Sequence, residues 1–83
     1  MNDNMENKCL TRLDIATFLD FNSKILDSIY KYIEHKYQNI NDFWLEDWCM
    51  LGLGERIHIE FGTDDGSIED TVNIDEFLKI CNN

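Results

Sequence analysis

The chain has 83 residues, 43% hydrophobic and 12% aromatic, with 17 acids against 7 bases and a formal net charge of −10 at pH 7. That length holds one domain, 1–83, with one modest core, and apolar residues spread along the chain exclude a disordered acidic tail. The charge disfavours direct binding to DNA or RNA, and the apolar runs fall far short of the roughly 20 residues that span a bilayer.

Residues 1–10 are polar for the most part and are expected to fray. Thr11, followed by Asp14, is suited to cap a short helix over Thr11–Phe21. From about Phe18 to Ile40, residues Phe18, Ile25, Leu26, Ile29, Ile33 and Ile40 fall on one side of a helix. Asp20, Lys24, Asp27, Lys31, Glu34 and Gln38 fall on the other. These polar positions alternate in sign one turn apart, the pattern of a solvated helix face. Leu13 would break that pattern, so the two helical stretches are expected to separate near Asn22-Ser23.

Residues 41–53 admit two readings. Asn41 could cap a helix ended by Gly52, or the aromatic and apolar run Trp48–Leu53 could pair with Arg56–Phe61 through a turn at Gly54-Glu55. The strand is preferred, because two strands alone are marginal and a third under a packed helix makes a two-layer fold.

Arg56–Phe61 alternates strictly, with Ile57, Ile59 and Phe61 on one face and Arg56, His58 and Glu60 on the other. Turn formers crowd Gly62–Ser67. Ile68, Val72 and Ile74 then share a parity, which predicts the second arm of a hairpin. Asp70 falls on that apolar parity, so it requires a bulge, an edge position or a partner. Asn73 with Glu76 resembles a helix cap leading into a short C-terminal helix. The predicted fold is α+β: a long N-terminal amphipathic helix, broken near residue 22, on an antiparallel sheet of two or three strands, with a short C-terminal helix.

Candidate chemistry is sparse. Asp65-Gly66-Ser67-Ile68 looks like the middle of a calcium loop, but Phe61 and Val72 stand where the opening aspartate and closing glutamate belong. Gly52-Leu53-Gly54 lacks the third glycine of a phosphate loop and reads as a turn. The three cysteines, Cys9, Cys49 and Cys81, are odd in number and share no metal spacing, and no apolar leader precedes them, so reduced thiols and a cytoplasmic location are expected. Neither His35 nor His58 stands at ligand spacing along the chain, so no metal, cofactor or catalytic residue is expected. A Cys49/His58 nucleophile pair could form only if the fold brought the two together.

The charge is distributed unevenly. Residues 1–41 hold five bases and six acids, whereas residues 42–83 hold Arg56 and Lys79 against eleven acids. Residues 57–78 contain no Lys or Arg. Outward residues on one strand recur about every 6.7 Å, close to two of the roughly 3.4 Å steps between phosphates along DNA. Glu60, Asp64, Asp65 and Glu69 could therefore imitate a polyanion. Asp42, Glu46 and Asp47 border Trp44 and Trp48, and these aromatics, with Phe43, Tyr30, Tyr32 and Tyr37, read either as core or as interface anchors.

The expected function is a non-enzymatic inhibitor. Its expected partner-binding surface comprises Asp42, Glu46, Asp47, Glu60, Asp64, Asp65, Glu69 and Asp70 with Trp44 and Trp48, set against a basic nucleic-acid-binding protein such as an effector nuclease. Nine Asn and ten Ile against one Ala, one Val and no Pro fit an AT-rich source such as a phage or mobile element. In general character the chain resembles small acidic anti-CRISPR and anti-restriction proteins. The alternatives are an immunity protein or antitoxin that covers a nuclease toxin, and a small accessory subunit that binds through its helix and tryptophans.

Overall fold

The computed structural model describes residues 10–17 and 21–82. The elements run α1 (Arg12–Thr17), α2 (Phe21–Lys36), β1 (Trp44–Leu51), a 3-10 turn (Gly52–Gly54), β2 (Arg56–Thr63), β3 (Gly66–Asn73) and α3 (Ile74–Cys81). The three strands form one antiparallel sheet in the order β1-β2-β3, so the architecture is α+β.

The helical N-terminal part differs from its expected form. Asn22 and Ser23 lie inside α2, which is 16 residues long and ends at Lys36, so no break falls at residue 22 and Ile40 lies beyond the helix. Residues 18–20, and with them the expected helix positions Phe18 and Asp20, lie outside the described residues. Thr11 does precede α1, its carbonyl accepting from the Ile15 N–H at 3.2 Å. Leu10 is buried at 1% exposure, and its carbonyl accepts from Asn82 Nδ2 at 2.9 Å, so the ordered fold begins before α1.

The C-terminal half follows its pattern closely. Ile57, Ile59 and Phe61 of β2 are fully buried against Ile25, Ile29, Tyr32 and Ile33 of α2 and Ile74 and Phe77 of α3, in one core cluster. Tyr32 meets Phe77 with ring centroids 5.1 Å apart, and Tyr37 meets Phe61 at 5.2 Å. Full burial of each such side chain contributes about 1.5–3 kcal/mol. Leu26, by contrast, lies at the helix surface and is 44% exposed.

The hairpin closes tightly. Thr63 pairs with Gly66 around the two residues Asp64 and Asp65. Thr63 Oγ1 donates to the Gly66 carbonyl at 2.8 Å and accepts from the Asp65 N–H at 3.1 Å. Gly66 takes φ 125°, a conformation that disfavours side chains. At the other end of β3, the Asn73 side chain accepts from the Asp75 N–H at 2.8 Å and starts α3, as its sequence suggests.

β1 carries the unforeseen feature. Leu45 pairs with Phe61 and Asp47 pairs with Glu60, so Glu46 is an extra residue in a β-bulge. The bulge reverses the phase of the strand after it. Trp48 and Met50, opposite Ile59 and Ile57, therefore turn toward the core side.

Candidate functional site: the open face of the sheet

Helices cover one face of the sheet, and the register sets what the other face shows. Residues paired across antiparallel strands point to the same side. Asp47, Glu60 and Glu69 therefore form one row across all three strands. The next row holds Cys49, His58 and Thr71, and on the other side Trp44, Gly62 and Ser67 form a third.

The acidic row runs across the sheet rather than along a strand. Its steps are the inter-strand spacing of about 4.8 Å, not the 6.7 Å interval expected from alternation along one strand. Carboxylates set directly opposite one another repel. Among the described residues no Lys or Arg lies within ion-pair distance of Glu46, Asp47, Glu60 or Glu69, nor of Asp64 and Asp65 at the hairpin tip. Asp42, Asp64 and Asp65 border a cleft of ≈ 260 Å³ between residues 39–42 and the β2–β3 turn.

The tryptophans separate. Trp44 stays on the open face, 48% exposed, whereas Trp48 turns inward and is partly buried against the core. The Trp44 indole lies across the backbone of Gly62: a Cβ at that position would collide with Nε1 and sit 2.7 Å from Glu46 Oε2. Gly62 is thus a glycine because a side chain and a carboxylate pass over it. The bulge delivers that carboxylate, and Glu46 accepts from Ser67 Oγ at 3.1 and 3.3 Å across the central strand. The bulge therefore puts Glu46 and Asp47 both at the open surface.

His58 occupies the middle of this face. Its Nδ1 lies 2.6 Å from Thr71 Oγ1, and its Nε2 lies 3.0 Å from Glu60 Oε2 and 3.9 Å from Glu69 Oε1. Cys49 is its neighbour on β1, but both ring nitrogens engage other groups. The geometry gives no support to a Cys49/His58 nucleophile pair.

Asp70 does not belong to the surface. It points to the core side opposite Ile59 and is buried, so it does not share the open face with the other predicted partner-binding acids. Its Oδ2 accepts from Tyr32 OH at 2.8 Å, Tyr37 OH at 2.8 Å and Lys36 Nζ at 3.0 Å. Burial pushes the carboxyl up, but these three donors outweigh it and hold the group below its ordinary range. Burial first, and then the bond to Asp70, push the Tyr37 phenol up to about 12 and Tyr32 further still. Tyr32 is therefore a core residue and no part of an exposed aromatic patch. Tyr30 stays 39% exposed, packing its ring on Phe43 at 5.6 Å.

Bases from the N-terminal half thus answer part of the acidic half: Lys36 meets Asp70, and Arg12 meets Asp75 at 2.7 Å. Among the described residues, six of the acids without a Lys or Arg in ion-pair range, Glu46, Asp47, Glu60, Asp64, Asp65 and Glu69, lie on the open face and the hairpin tip. The cross-strand partners of His58 and the approach of Trp44 to Gly62 escape a reading along the chain. Placing the turn centre at Asp64-Asp65 gives the β2–β3 register, and with it the His58–Thr71 and Glu60–Glu69 pairs. Comparison with protein-family models, with curated proteins and with solved structures finds no match to this chain.

Proposed function

We propose that this chain is a non-enzymatic, protein-binding inhibitor. Its open sheet face imitates the charge of a nucleic acid and occupies a basic channel in a nucleic-acid-binding protein, in the manner of anti-CRISPR or anti-restriction proteins. The observation that carries this reading is the row Asp47–Glu60–Glu69, opposed across three strands and flanked by Glu46, on a face that none of the described helices covers. Opposed carboxylates cost stability in the isolated protein, and a basic partner relieves that cost on binding. Asp42, Asp64 and Asp65 extend the charge to the hairpin tip, and Trp44 supplies an aromatic contact beside it.

A phage or mobile-element origin and action in a host cytoplasm fit this reading. No helix among the described residues is long and apolar enough to cross a membrane. An immunity protein that covers a nuclease toxin would use the same face against a different basic site.

The test is affinity capture on the immobilised chain from a lysate of cells that carry it, with and without duplex DNA as competitor. The expected result is recovery of nucleic-acid-binding proteins that DNA displaces and that elute as salt rises, because the contact is electrostatic. Capture indifferent to both DNA and salt would contradict the proposal.

A further inference from the structure

We infer that His58, Glu60 and Glu69 form a binding site for one divalent transition-metal ion of the zinc type on the open face of the sheet. Nε2 of His58, one oxygen of Glu60 and one of Glu69 all lie within 4.8 Å of one another. Two of the separations, 3.0 and 3.9 Å from Nε2, bracket the distance of about 3.3 Å between ligand atoms of a tetrahedral zinc site with bonds near 2.0–2.1 Å. The longer separation involves Glu69, whose side chain is 72% exposed and has room to rotate toward Nε2.

The orientation of the imidazole supports the assignment. In the tautomer whose Nδ1–H donates to Thr71 Oγ1, 2.6 Å away, the Nε2 lone pair is directed at the two carboxylates. A lone pair facing carboxylate oxygens is unfavourable unless a proton or a cation lies between them. A divalent ion also neutralises the repulsion between Glu60 and Glu69, and Asp47 in the same row adds to the attraction without being a ligand.

The donor set selects the metal. One imidazole and two carboxylates suit zinc and its neighbours, whereas calcium requires six or more oxygens and magnesium an octahedron of them. Because the face is open, water completes the coordination. The site went unseen along the sequence because Glu69 comes from the adjacent strand, eleven residues from His58, and only the hairpin register joins them.

The experiment is a calorimetric titration of Zn²⁺, and separately of Mg²⁺ and Ca²⁺, into the full chain, with circular dichroism of each variant to confirm folding. One Zn²⁺ per chain is expected, bound more tightly than either hard ion. His58→Ala and Glu69→Gln should each weaken Zn²⁺ by about tenfold or more, and Thr71→Val by about tenfold through loss of ring orientation. Glu69→Gln lies at the surface and does not disturb the core, so the test survives if His58→Ala fails to fold. The double variant Asp64→Asn, Asp65→Asn and the variant Cys49→Ser should stay within about twofold of the parent. An equal loss in the Asp64/Asp65 variant would mean diffuse condensation on acids and overturn the site. So would loss of binding in Cys49→Ser, or retention of full affinity in Glu69→Gln. The titration is read without any partner protein, so its failure is separate from failure of the inhibitor reading.

Discussion

Asp70 stands between Ile68 and Val72 on the core-facing parity of β3, where a carboxylate would ordinarily be excluded. It is retained because Tyr32, Tyr37 and Lys36 converge on a single oxygen, joining the C-terminal end of α2 to the edge of the sheet. Truncation or neutralisation leaves buried donors without their charged acceptor. Asp70→Asn is therefore expected to destabilise the fold by about 1–3 kcal/mol near neutral pH in urea unfolding. Because the folded carboxyl lies below its ordinary value of 3.8, its contribution is full above that value and is lost as pH falls through the folded value. The gap between the wild type and Asp70→Asn should accordingly narrow in acid. On the alkaline side the phenols hold their protons more tightly than usual. The stability they contribute is intact below 10.0 and is lost as pH rises through about 12, the value for Tyr37. The sequence marked Asp70 as a residue in need of a partner, but nothing along the chain named Lys36 and the tyrosines, which meet it only through the packing of α2 on the sheet.

At the scale of elements, β2, β3 and α3 were legible because their signals are local: strict alternation, a cluster of turn formers and an asparagine cap. β1 was legible as a strand but neither in its bounds, Trp44–Leu51 with the turn at Gly52–Gly54 rather than Trp48–Leu53 with the turn at Gly54-Glu55, nor in its phase. Continued alternation from Trp44 would place Trp48 beside it on the open face, and the bulge at Glu46 sends it to the core side instead. The helical stretch was overextended because the spacing of Ile40 matched the period, whereas the chain leaves the helix after Lys36 and carries Ile40 back against the core from a loop. The approach of β1 side chains over β2 yields a direct prediction. Gly62→Ala places a methyl where the Trp44 indole and the Glu46 carboxylate now lie, so both must move away from the face. In a Trp48→Phe background, acrylamide quenching of Trp44 fluorescence should increase, with a stability cost of about 1–3 kcal/mol. Unchanged quenching would mean that the indole does not rest on Gly62.

Over the whole molecule, the uneven charge of the sequence resolves into three populations. Some acids are solvated on helices, as where Asp27 meets Lys31 at 3.3 Å. Others are consumed in fixing the fold, as Asp70 and Asp75 are by Lys36 and Arg12. Among the described residues, Glu46, Asp47, Glu60 and Glu69 on the open face and Asp64 and Asp65 at the hairpin tip form a third group without a Lys or Arg in ion-pair range, and these are the acids proposed to serve a partner. The most direct test compares affinity for a captured partner between two variants of equal net charge, at low and at high salt. One neutralises the open face (Asp47→Asn, Glu60→Gln, Glu69→Gln), and the other neutralises helix positions (Asp27→Asn, Glu34→Gln, Glu76→Gln). The open-face variant is expected to lose about tenfold or more in affinity together with most of its salt dependence, while the helix variant binds like the parent. Equal loss in both variants, or unchanged binding by the open-face variant, would contradict it.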